Sequence, residues 1–256
     1  MLFICYNSCY ERVIFMTFRK GEYISRLIDK KVDNYLEVFG AISIEGPKWC
    51  GKTWTSSNHA KSMVFLDDKN TKELALLDLN LILDEEKPEL IDEWHLVPEI
   101  WDAVRRKCDD DSLNGKYILT CSTELNDEKN KKVFHSGAGR IGKIKMYTMS
   151  LYESGDSTGE ASLTAMFEGT QQNIKVKNTD IMDLAIFIVR GGWPRNLKVS
   201  VENLNLIPKS YIESILDKDM NDDKKRDRNK MLMLLRTLAD FLSSLTVAEF
   251  ISYQDH

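Results

Sequence analysis

Residues 44–54 read IEGPKWCGKTW, and within them Gly46, Gly51, Lys52 and Thr53 satisfy the pattern G-x-x-x-x-G-K-[ST]. The stretch follows the apolar run AISIE (41–45) and precedes a helical stretch starting at Lys52, so strand, tight loop and helix are predicted in that order. Phosphate binding needs that order. Backbone N–H groups of the loop and the positive end of the helix would surround phosphate oxygens, and glycine removes a Cβ where the backbone turns tightly. Lys52 is then expected to reach the β- and γ-phosphates, and the Thr53 hydroxyl to bind Mg²⁺. The alternative is an ordinary glycine turn. Inside the loop, Pro47 would stiffen the turn, Lys48 would add charge near phosphate and Trp49 would pack or stack, each being as readily structural. Cys50 has the same two readings: it stands near a helix N-terminus, which lowers a thiol pKa and would make it sensitive to oxidation, or it is a structural residue of the loop.

Outward from the loop the chain alternates. Ile24, Leu27, Ile28, Val32 and Leu36 recur at helical spacing before the first strand. Further strands are predicted in MVFLDD (63–68), ELIDEW (89–94), KYILTCS (116–122) and IGKIKMYTMSLYE (141–153), with helical stretches such as PEIWDAVRRKCDD between them. That alternation predicts an α/β fold, a parallel sheet with helices on both faces. After SGDSTGEAS the pattern turns helical, in 180–192, 208–219 and 225–245. The expected division is an N-terminal extension (1–22), an α/β core (23–155), a helical lid-like region (156–219) and the start of a further segment (220–256).

A working phosphate loop needs an acid for the metal and a group to polarise water. The stretch PELIDEWH supplies Asp92 to hold Mg²⁺ through its water shell and Glu93, displaced to the other side of the pleat, to polarise the attacking water. No NKxD pattern for guanine is present, so ATP is the expected nucleotide. A strand between the loop strand and the acid strand would present Thr120 or Ser122 toward the γ-phosphate, although either hydroxyl could cap a strand end. Arg140, in the glycine-containing loop FHSGAGRIGK, is expected to stabilise γ-phosphate charge in cis or across a subunit interface. His135 and His95 read as hydrogen-bonded loop residues rather than as a base or a relay.

Composition narrows the partners only a little. A formal net charge of -5 gives no overall attraction to nucleic acid or an anionic membrane, though a local basic face could bind either. The mixed-charge stretch DKDMNDDKKRDRNK reads as a solvated joint, its acids nearly cancelling its bases. Five cysteines, Cys5, Cys9, Cys50, Cys108 and Cys121, show no zinc spacing and read as reduced thiols of a cytoplasmic protein. The opening MLFICYNSCYERVIFMTF is interrupted by Asn7, Glu11 and Arg12 before it reaches spanning length, so no membrane anchor is expected.

Taken in order, IEGPKWCGKTWT, LIDEWHLVPEIWDAVRRKCD, ILTCS, HSGAGRIGKIKMYTMSLYES and RGGWP resemble the archaeal and bacterial AAA-type ATP-binding proteins that carry a C-terminal domain of unknown function. The resemblance implies a P-loop NTPase core of three layers with an additional strand between the two Walker strands. A winged-helix segment and a C-terminal domain likened to nuclease folds would follow it. It also implies nucleotide contacts from Gly46 to Thr53, an acid pair at Asp92 and Glu93, and a sensor region from Thr120 to Ser122. The chain departs from the family pattern where Cys121 replaces glycine and His95 replaces glutamine. Family members continue further, so a truncated member, or one whose C-terminal partner is encoded separately, is expected; a homo-oligomer is the other expected assembly.

Overall fold

The computed structural model describes residues 23–110, 113–122, 136–171, 179–220 and 228–244; the expectations for 1–22, His135 and 245–256 lie outside them. Five strands, β1 (Ala41–Glu45), β2 (Ser62–Phe65), β3 (Glu89–Asp92), β4 (Tyr117–Cys121) and β5 (Ile141–Lys145), form one sheet of order β2-β3-β4-β1-β5. Every pairing is parallel, which demands a crossover between successive strands. A helix α1 (Asp29–Val38) leads into β1, and the crossovers include α2 (Lys52–His59), α3 (Lys69–Leu77), α4 (Asn80–Leu83) and α5 (Glu99–Asp109). The strand β4 lies between β1 and β3, as the additional-strand expectation requires.

Period-2 alternation sends successive side chains to opposite faces, and each face has its own core. Ile42, Ile44, Leu90, Ile118 and Ile144 pack with Val32 of α1 and with Cys50. Ala41, Ile91, Tyr117, Leu119 and Cys121 pack with Ala75, Ile82, Ile100, Trp101 and Val104 from the helices of the other side. The sheet is thus the middle of three layers, with strands apolar on both faces. On β5 the alternation breaks: Lys143 and Lys145 are exposed, which guards this edge of the sheet against pairing with another chain.

Element boundaries differ from the sequence expectation in three places. The first helix starts at Asp29 rather than near Tyr23, because the preceding residues run as irregular chain with Arg26 buried. The last strand ends at Lys145, and residues 146–150 continue without regular structure. Glu93 is not in β3; it adopts a left-handed conformation (φ 55°) and opens a 3₁₀ turn at Trp94–Leu96.

Two compact units divide the chain, one reaching to residue 178 and including 191–197, the other comprising 179–190 and 198–256. The division therefore falls well after 155, and the segment GGWP returns to the first unit. A short helix, α6 (Leu163–Phe167), precedes the division. The second unit carries α7 (Ile181–Arg190), α8 (Leu206–Met220) and α9 (Arg228–Ser244), with α8 and α9 in contact. On α9, Leu234 and Leu238 are exposed while Met231, Leu232 and Leu235 are partly covered; the side chains of Phe241 and Leu242 lie outside the described ones. Among the described residues no helix is long and apolar enough to cross a membrane.

Glu89 begins β3 fully buried, with Oε1 lacking a hydrogen-bond partner and Oε2 paired to Lys87. Burial pushes its pKa up to about 7, against the opposing pull of Lys87. An acid whose folded-state pKa is raised keeps its proton in the native chain after the unfolded chain has lost it. Stability therefore falls as pH rises from about 4.5 to about 7, by on the order of 3 kcal/mol, and levels off above that. Glu89→Gln cannot ionise, so its melting temperature should gain on the wild type between pH 5 and pH 8. Parallel melting-temperature profiles for the two proteins would rule this out.

Candidate functional site

At the C-terminal end of β1 the chain enters a loop whose shape depends on close backbone approach. A Cβ at Gly46 would stand 2.2 Å from the Met146 carbonyl oxygen, so no other residue fits without moving the chain that follows β5. Gly51 has φ +104° and caps α2, a conformation that L side chains rarely adopt. Beyond it the first N–H groups of α2 have no partners within the helix, the arrangement that favours an anion.

Lys52 is buried and its Nζ donates to the carbonyl oxygens of Gly46 (3.0 Å) and Pro47 (2.9 Å). The ammonium is thereby held across the loop by neutral acceptors that a phosphate oxygen, carrying charge, can replace. Trp49 has φ 67° and is 41% exposed, and the Lys48 ammonium lies 5.6 Å from its ring centroid. Lys48 is thus engaged with Trp49.

The acid strand faces this helix. Asp92 lies on the same side of the pleat as Leu90, and Thr120 on the same side as Ile118, which is the side packed by α1 and by Cys50 of the loop. Thr53 Oγ1 donates to Asp92 at 3.1 Å to Oδ1 and 3.3 Å to Oδ2, and Thr120 Oγ1 donates to Asp92 Oδ1. Burial pushes the Asp92 carboxyl above its ordinary range; the Thr120 and Thr53 hydrogen bonds pull it back, and the charge of Glu93 adds to the rise. A hydroxyl and a carboxylate side by side are hard oxygen donors suited to Mg²⁺, which takes few protein ligands and completes its shell with phosphate and water. Among the described residues no group of three or more His, Cys, Asp or Glu is placed to hold a metal ion.

Glu93 follows Asp92 but leaves the pleat. The expected displacement across the strand is corrected: the left-handed backbone, not the strand alternation, turns this side chain toward the end of β4. There Ser122 N–H donates to Glu93 Oε2 (3.2 Å), Ser122 Oγ donates to Oε1, and Glu93 N–H donates to Thr120 Oγ1 (3.3 Å). Both predicted sensor hydroxyls are therefore placed, each on one acid: Thr120 on Asp92 and Ser122 on Glu93.

Arg140 is elsewhere. Its carbonyl accepts from Ala41 N–H at the start of β1, so it stands at the N-terminal edge of a parallel sheet whose loop is at the C-terminal edge. Its Nε donates to Asp109 Oδ1 at 2.8 Å, and that contact holds the Asp109 carboxyl below its usual range. The expectation that Arg140 reaches the γ-phosphate in cis is corrected by the length of the sheet.

Sequence reasoning missed Arg26. This buried side chain donates from Nη1 to Cys50 O (2.8 Å), from Nη2 to Tyr147 O (3.0 Å) and from Nε to Glu153 Oε1 (2.9 Å). It ties the loop to the chain after β5. Burial alone would raise the Glu153 carboxyl, but N–H groups of Ser150 and Leu27 and the Arg26 guanidinium bring it below its usual range. A single arginine ahead of a helix carries no sequence signal of this clamp, because its partners are carbonyls and an acid 127 residues away.

Cys50 takes the structural one of its two readings. It is fully buried in the α1-side core, and burial raises its thiol pKa, against the weaker pull of Lys52 and Arg26. Desolvation of a thiolate outweighs the helix terminus here. Iodoacetamide at pH 7.5 should label Cys50 more than about tenfold more slowly than a free thiol peptide. Labelling at the peptide rate in the folded protein, read by peptide mass mapping, would contradict that burial.

Residues 39–155 match a family model described as the AAA domain. Among solved structures, the Walker-type ATPase PABY2304 of Pyrococcus abyssi is similar at 14% identity and a TM-score of 0.45, over 86% of this chain and 77% of that one. The FIGL-1 AAA domain in complex with ADP is similar at 14% identity and a TM-score of 0.35, over 80% and 72%. PCH-2 of C. elegans follows at 14% identity and 0.29, over 84% and 65%. No curated protein matches the chain.

Proposed function

We propose that this chain binds Mg²⁺-ATP at Gly46–Thr53 and hydrolyses it, using the cleavage to change its C-terminal helical unit, a reading supported by the match of residues 39–155 to a family model described as the AAA domain. The observation that carries this reading is the meeting of Thr53 and Asp92 at 3.1 Å, directly beside a lysine held across the loop. Bound Mg²⁺ would neutralise charge on the β- and γ-phosphates. Thr53 and Asp92 would hold it, and Thr120 would keep Asp92 in place. Lys52 would exchange its two carbonyl acceptors for phosphate oxygens, and the loop N–H groups, including that of Gly51, would take the rest. Glu93 is the acid free of the metal and would orient and polarise the attacking water, with Ser122 fixing the carboxylate.

Arg140 cannot serve its own chain's site, so a cation of this kind would come from a second copy or a separate partner. That favours a homo-oligomer. A second reading, a nucleotide-gated protein- or DNA-binding module with little turnover, is favoured by the same remoteness of Arg140 and by both Glu93 oxygens being already hydrogen-bonded. Calorimetric titration with Mg²⁺-ATP followed by a phosphate-release assay tests the two together. Binding with release supports the ATPase; binding without release leaves the gated module; absence of binding refutes both.

A further inference from the structure

Glu93 has another neighbour. His95 Nδ1 lies 3.3 Å from Glu93 Oε2 and 3.4 Å from Cys121 Sγ, with the imidazole largely buried. The 3₁₀ turn that follows β3 brings His95 back beside the acid, and Cys121 faces it from the opposite side of β4 to Thr120. The two contacts make different demands on one nitrogen. An ionised carboxylate only accepts, so a hydrogen bond to Glu93 requires the proton on Nδ1; a hydrogen bond from the Cys121 thiol requires Nδ1 bare. A charged acceptor outweighs a weak thiol donor, which favours the proton on Nδ1.

We propose that His95 is a positioning residue for Glu93: its Nδ1–H fixes Oε2 while the Ser122 hydroxyl fixes Oε1, which sets the plane of the carboxylate. Ser122 N–H and Oγ hold both oxygens from the end of β4, and His95 adds a donor beside Oε2 from the turn after β3. The positioning role rests on Glu93 being the water-orienting acid.

His95→Asn and His95→Leu separate this from packing. The amide nitrogen of asparagine stands where Nδ1 stands in histidine, whereas leucine fills space without a donor. The leucine variant should lower kcat about tenfold or more with KM and Mg²⁺-ATP affinity unchanged, and the asparagine variant should recover most of it. Equal loss in both variants, or no loss in either, would overturn the proposal. A second measurement needs no turnover. The chain has four histidines, so the ring ¹⁵N shifts of His95 can be identified by their disappearance in His95→Asn. The Nδ1–H tautomer, with shifts that move in Glu93→Gln, is expected; an Nε2–H tautomer indifferent to that substitution overturns the contact. If the wild type binds ATP but releases no phosphate while the tautomer is as expected, it is the hydrolytic reading that fails and the Glu93 contact that stands.

Discussion

Lys52→Ala should weaken Mg²⁺-ATP binding by about 100-fold or more. The ammonium is already desolvated, and its two acceptors are loop carbonyls at 3.0 and 2.9 Å, so little reorganisation is needed before it meets phosphate. Removing charge-assisted hydrogen bonds to phosphate costs on the order of 3 kcal/mol, which is roughly that factor in affinity. Calorimetry on the wild type and variant side by side gives the result. A thermal melt must accompany it, because the same substitution frees the carbonyls of Gly46 and Pro47. Unchanged affinity in a folded variant would mean that the loop is not a phosphate cradle.

Glu93→Gln should behave in the opposite way, with ATP affinity within about threefold of wild type and phosphate release down by about 10² to 10⁴. Glutamine keeps the shape and can still accept from Ser122, yet it cannot take up a proton from water. Asp92, which accepts from Thr53, is untouched, so that pair stays intact. A variant that releases phosphate at the wild-type rate would remove Glu93 from the chemistry. Loss of binding instead would place it among the ligands of the metal.

Much of this arrangement was legible in the chain. The loop and its flanking elements follow from local rules, because strand, glycines and helix are contiguous in sequence. The additional strand also emerged from an apolar run, and the pleat then decided that Asp92 and Thr120 share a face. What stayed hidden is non-local or conformational. Arg26 gains its meaning from Cys50, Tyr147 and Glu153, none of which its neighbours announce. The left-handed turn at Glu93 is invisible to periodicity, since glutamate seldom adopts it. Arg140 was assigned to the nucleotide because it lies in a glycine-containing loop, yet it stands just before β5, and the start of a parallel strand is at the opposite edge of the sheet from the phosphate-loop motif. For Cys50 the sequence left two readings open, because proximity to a helix terminus can be read from it whereas burial under α1 cannot.

The floor of the loop is made late. Gly46 rests against the Met146 carbonyl, Met146 N–H donates to Glu45 O at 2.8 Å, and β1 is flanked by β4 and β5, both of which follow it in the chain. During synthesis the residues of the G-x-x-x-x-G-K-T pattern therefore emerge from the ribosome long before anything can shape them. A nascent chain arrested before Met146 should not retain ATP, whereas one released with all five strands should. The nucleotide would then be a ligand of the completed sheet and of no shorter nascent chain.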